Sequence, residues 1–125
     1  MRNHVIVSDQ PLKFGGGNKG PKPSELFLAA LAACQETTWL IYAEDMGIGI
    51  TQISVKLEGV QDFWGFISVE KSIPAGFKSI KGEVQLKSSA TLTELKKLQV
   101  IVDKHCPVLD DLTRKVQVEI DLKKM

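Results

Sequence analysis

Between Leu26 and Ala43 the chain is almost continuously apolar, broken only by Gln35, Glu36, Thr37 and Thr38 near its midpoint. That interruption argues against a membrane span and for a helix buried in a protein interior. Proline is tolerated in a first helical turn and Glu25 suits the positive end of the helix dipole, so the helix starts near Pro23 or Ser24. Nothing breaks the pattern before Gly47, a plausible C-cap, which predicts a helix from Ser24 to Met46, roughly 35 Å long. As far as Ala33 its apolar residues surround nearly the whole circumference, so the first half needs cover on more than one side. One sheet does not supply that, and a second copy of the chain is a natural cover.

The rest of the chain predicts what packs on this helix. Ile53, Val55 and Leu57 alternate with Ser54, Lys56 and Glu58, a strand that Gly59 ends or bulges. Ile80, Val84 and Leu86 alternate in the same way with polar neighbours, and Val116, Val118, Ile120 and Leu122 form the cleanest strand pattern of all. His4 to Val7 reads as a short strand, residues 14–23 as a Gly- and Pro-rich loop, and the aromatic stretch from Asp62 to Val69 as strand or loop, followed by a turn at Pro74 and Gly76. Thr91 and Glu94 form a capping box for a second helix, with Leu95, Leu98, Ile101 and Val102 as its core stripe and Pro107 stopping it near His105. The fold class is α+β. With 125 residues, 43% of them hydrophobic, the chain is read as a single domain over residues 1–125.

Composition narrows the partners. Sixteen Lys and Arg against fifteen Asp and Glu leave a formal charge of +1, which offers no field for nucleic acid or an anionic membrane. The first residues lack the apolar core of a secretory signal, and the protein is read as cytoplasmic. The glycine-rich loop lacks the spacing and the terminal Gly-Lys-Ser/Thr of a phosphate-binding loop. No cofactor is expected.

In a reducing compartment two cysteines are thiols rather than a permanent disulfide, and so candidates for redox chemistry. Cys34 sits inside Ala32-Ala33-Cys34-Gln35-Glu36, where small neighbours allow close approach; taken alone, it reads first as a buried inert thiol. Cys106 lies between His105 and Pro107, and the proline biases it toward an extended conformation that turns the thiol out of the helix. His105 reads as a helix-end cation rather than a base. A zinc site built from His4, His105 and the cysteines has no suitable ligand spacing. Seventy-two positions separate the two thiols, so spacing alone does not pair them.

Gly20-Pro21-Lys22-Pro23-Ser24-Glu25-Leu26 leading into Leu31-Ala32-Ala33-Cys34, followed far downstream by His105-Cys106-Pro107-Val108, resembles the pattern of the OsmC/Ohr family. The resemblance covers the chain from His4 onward. It implies an intertwined homodimer whose long central helices pack against antiparallel sheets, with the active sites at the interface. It also implies reduction of organic hydroperoxides as a defence against oxidative stress, with Cys34 as the peroxidatic cysteine, Cys106 as the resolving one, and a dithiol as the final reductant. The family pattern places a carboxylate immediately after the helix-start proline. Here Ser24 holds that place, and the resemblance passes the carboxylate role to Glu25. A non-enzymatic dimer that senses redox state or binds an apolar ligand is the competing expectation.

Overall fold

The computed structural model describes residues 2–67 and 72–125. Helix α1 runs Pro23–Asp45, β1 Ile50–Gln61, α2 Phe63–Ile67, β2 Phe77–Ser88, α3 Leu92–His105 and α4 Pro107–Thr113. Proline opens α1, and Glu25 accepts the Lys22 N–H at 3.0 Å. The helix stops because Gly47 takes a left-handed φ of 69°, a conformation that costs a residue without Cβ little. By length and composition α1 would suffice to cross a membrane; in the fold it lies on β1, α3 and α4 instead.

Strands β1 and β2 pair antiparallel, with Ile53 opposite Leu86, Val55 opposite Val84 and Leu57 opposite Gly82. Gly59 does not end β1. The strand continues to Gln61, and one of its two register shifts falls between Val60 and Gln61. A Cβ on Gly59 would lie 2.3 Å from the Phe77 ring, so the glycine makes room for that ring in the sheet. Phe77 in turn meets Phe27 of α1 at 5.9 Å between ring centroids.

The core forms where α1 crosses α3 above the sheet. Trp39, Ala43, Leu98 and Val102 are buried there, with Tyr42, Ile48, Ile50, Ile53, Val84 and Leu86 packed around them. The capping box that starts α3 is present as read: the Glu94 N–H donates to Thr91 Oγ1, and Glu94 accepts the Thr91 N–H at 2.8 Å.

Three further expectations change. The aromatic stretch is neither strand nor loop over Phe63–Ile67 but a short helix, started by Asp62, whose carboxylate accepts the Trp64 N–H at 3.0 Å; Val69 lies outside the described residues. Residues 4–7 and 116–122 are not strands within one chain. An alternating pattern becomes a strand only when it pairs with an edge, and among the described residues neither segment pairs, although β1 and β2 each keep an outer edge open. Ile120 and Leu122 are 89% and 97% exposed.

Candidate functional site

Cys34 occupies the middle of α1, and the residues that follow it at helical spacing, Thr37 and Thr38 and then Ile41 and Tyr42, share its side of the helix. Thr38 hydrogen-bonds back to the Cys34 carbonyl at 2.7 Å, a local bond typical of threonine within a helix. Cys106 reaches the same place from the other direction. It is at once the last cap of α3 and the first of α4, with φ −71° and ψ 110°. Pro107 explains both facts: its ring excludes the helical conformation at the preceding residue, yet its fixed φ suits the first position of a new helix. The chain therefore makes a one-residue corner with the thiol on its inside.

At that corner the Cys106 S–H donates to Cys34 Sγ at 3.1 Å. The two sulfurs, 72 positions apart, are already within about 1 Å of bonding distance. Their surroundings differ. Cys106 has 0% exposure, whereas Cys34 is half-buried and opens onto a cavity of about 500 Å³ walled by Thr38, Ile41, Tyr42, His105 and Pro107. Burial pushes the Cys106 thiol above its ordinary 9.0, and its hydrogen bond to Cys34 adds to the rise. One thiol thus holds its proton, and the other accepts that S–H and meets solvent.

His105 ends α3 with Nδ1 donating to the Ile101 carbonyl at 2.8 Å, and its ring lies 5.0 Å from that of Tyr42. The helix-end contact is the one expected for histidine at this position. Sequence reasoning missed that the same ring, with Tyr42 and Thr38, walls the cavity in front of Cys34. The signal was available in part, since residues 34, 38 and 42 recur at the helical period, but nothing in α1 says that α3 ends beside them.

Glu25 is not brought to the thiols within one chain. Nine residues before Cys34, it sits about 13 Å back along the helix and half a turn round it, exposed, with Oε2 accepting from Lys22 N. No group of three or more His, Cys, Asp or Glu residues able to hold a metal occurs among the described residues. A second cavity, of about 600 Å³, lies between α1, the sheet and α3, with Phe27, Leu31, Val55, Leu57 and Phe77 as apolar walls. Gln35 and Asp103 form its polar corner; partial burial pushes the Asp103 carboxyl up, and a hydrogen bond from Gln35 offsets part of that.

Comparison with known proteins places this arrangement. The family model described as OsmC-like protein matches residues 16–121. An OsmC-like protein from Mycoplasma pneumoniae superposes with a TM-score of 0.70 at 24% identity, over 82% of this chain and 67% of its own. An organic hydroperoxide resistance protein OsmC from Legionella pneumophila gives 0.67 at 21% identity, over 89% and 75%. An OsmC-like hydroperoxide resistance protein from Jannaschia gives 0.63 at 21% identity, over 86% and 70%. Among curated proteins there is no significant match. These structures share the fold, and the family match spans both cysteine motifs: the chain belongs to the OsmC-like family.

Proposed function

We propose that the protein is a two-cysteine peroxidase of the cytoplasm that reduces organic hydroperoxides in oxidative stress defence, works as a homodimer and is recycled by a dithiol reductant. The observation that carries this reading is the buried Cys106 S–H directed at the half-exposed Cys34 sulfur at 3.1 Å. The asymmetry suits the chemistry. Cys34 as thiolate attacks the distal oxygen of the hydroperoxide; the O–O bond breaks, Cys34 becomes a sulfenic acid and the alcohol departs. Cys106 then gives its sulfur to Cys34, water leaves, and the disulfide returns to two thiols at the expense of an external dithiol. Both thiols are spent once per cycle, and one alcohol and one water are formed.

One equivalent of cumene hydroperoxide followed by mass spectrometry tests the reading. The wild type forms an intramolecular Cys34–Cys106 disulfide, Cys34→Ser consumes no peroxide, and Cys106→Ser stops after one oxidation with a trappable sulfenic acid on Cys34. Two thiols still reduced after treatment would favour the non-enzymatic alternative, for which the 600 Å³ cavity, with its apolar walls and polar corner, is the supporting observation.

Glu25 keeps its place in the proposal as a carboxylate that the second copy of the chain would bring to the site, since within one chain it lies on the far side of α1 from Cys34; its position in the helix-start motif supports that role. Its hydrogen bond to Lys22 supplies the rival role of a helix cap. Glu25→Gln separates the two: a slowed reaction of Cys34 with a thiol probe supports the first, and lowered thermal stability with unchanged reactivity assigns the residue to the cap.

A further inference from the structure

The hydroperoxide reaction leaves one group without an assigned partner. When Cys34 takes the distal oxygen, the O–O electron pair goes to the other oxygen, and an alkoxide is too basic to depart without a proton. Cys106 is ill placed to give one. Its S–H points at the attacking sulfur, on the side away from solvent. The donor must lie across the cavity from Cys34, where the organic part of the substrate sits.

The titratable residues walling that cavity are Cys34, Tyr42 and His105. A phenol gives up its proton reluctantly at neutral pH, whereas an imidazolium does so readily. His105 is also held in place. The Ile101 carbonyl can only accept, so Nδ1 carries a hydrogen and is committed at 2.8 Å, and the Tyr42 ring lies beside the imidazole at 5.0 Å. The imidazolium form then has one donor left, at Nε2.

Resting on the peroxidase reading above, we propose that His105 is the general acid of the reaction, delivering its Nε2 proton across the cavity to the leaving alkoxide. The step balances. The thiolate of Cys34, the hydroperoxide and the imidazolium of His105 yield sulfenic acid, alcohol and neutral imidazole; solvent then returns a proton to His105, as it takes up the one released when the next Cys34 thiol ionises.

The test varies the leaving group. Purified wild type and His105→Asn, which keeps a donor for the Ile101 carbonyl but has no acid at the Nε2 position, are mixed with tert-butyl hydroperoxide or with 3-chloroperoxybenzoic acid. The carboxylate of the peracid leaves without a proton. The expected result for the variant is a loss of about 100-fold or more with the alkyl hydroperoxide and under about 3-fold with the peracid, as removal of a general acid predicts. Alkylation of Cys34 by iodoacetamide, which needs no acid, stays near the wild-type rate. His105→Phe, which keeps the ring against Tyr42, serves as second variant if His105→Asn does not fold. Equal losses with both oxidants, no loss with either, or a wild type active on the peracid alone would overturn the role of His105 while the thiol chemistry stands. A wild type that consumes neither oxidant would overturn the peroxidase reading and this inference with it.

Discussion

Cys106 shows how a single residue can be half legible. Its extended backbone follows from the proline after it, and the sequence is sufficient to place it outside the helix. Its complete burial does not follow, because that depends on α1 arriving over the corner. The burial has a measurable outcome. A thiol whose folded value is raised holds its proton more tightly in the folded state than in the unfolded one, so its contribution to stability is complete below the unfolded value and is lost as pH rises through the folded one. Urea unfolding of the reduced protein should therefore show lower stability at about pH 10.5 than at about pH 8, and Cys106→Ser should lessen that difference. An equal pH dependence in both proteins would mean that the thiol is not buried as described. Cys34 is the converse case: its neighbours Ala32 and Ala33 signal close approach, but they do not say that the approaching atom is another sulfur.

At the scale of elements, local rules performed best where the deciding partners lie within four residues. The α3 capping box is one such case, with both reciprocal hydrogen bonds in place. Thr91→Ala should lower stability by about 1 kcal/mol, read as a shift in the urea midpoint with an unchanged slope; a change below about 0.3 kcal/mol would mean that the cap frays in solution. Helix α4 was missed although its signal was present. Pro107 stops α3, and a proline at the first position of the following helix is equally ordinary. Strand patterns fared unevenly for a physical reason: β1 and β2 find each other across one connection, whereas residues 116–122 carry the best alternation in the chain and pair with no strand among the described residues.

For the molecule as a whole, these unmatched surfaces add up. Val5, Phe27, Ile41, Val118, Ile120 and Leu122 are all exposed in a chain whose buried core centres on four residues of α1 and α3, more apolar surface than a monomer of this size ordinarily leaves open. The proposed homodimer accounts for it, and sedimentation equilibrium at micromolar concentration should give twice 13.8 kDa. Ile120→Lys sharpens the measurement. On a monomer this exposed position tolerates lysine at almost no cost, so a dimer that dissociates on that substitution places residues 116–122 in the interface, and a monomeric wild type would rule the dimer out. The same reasoning explains why the need for cover was legible from the first half of α1: a stretch apolar around nearly its whole circumference demands cover wherever it is, whereas the identity of each cover is a property of the assembled fold.

The two tryptophans of the chain stand in opposite surroundings. Trp39, five residues beyond Cys34 on the same helix, is 4% exposed, and Trp64 on the short aromatic helix is 64% exposed. Light emitted by the first comes from a dry setting and lies toward the blue; light from the second comes from a wet one and lies toward the red. With Trp64→Phe the remaining emission belongs to the helix that carries Cys34, so closing the proposed sulfur bridge would be visible as a change in colour or brightness, in real time and without any attached dye.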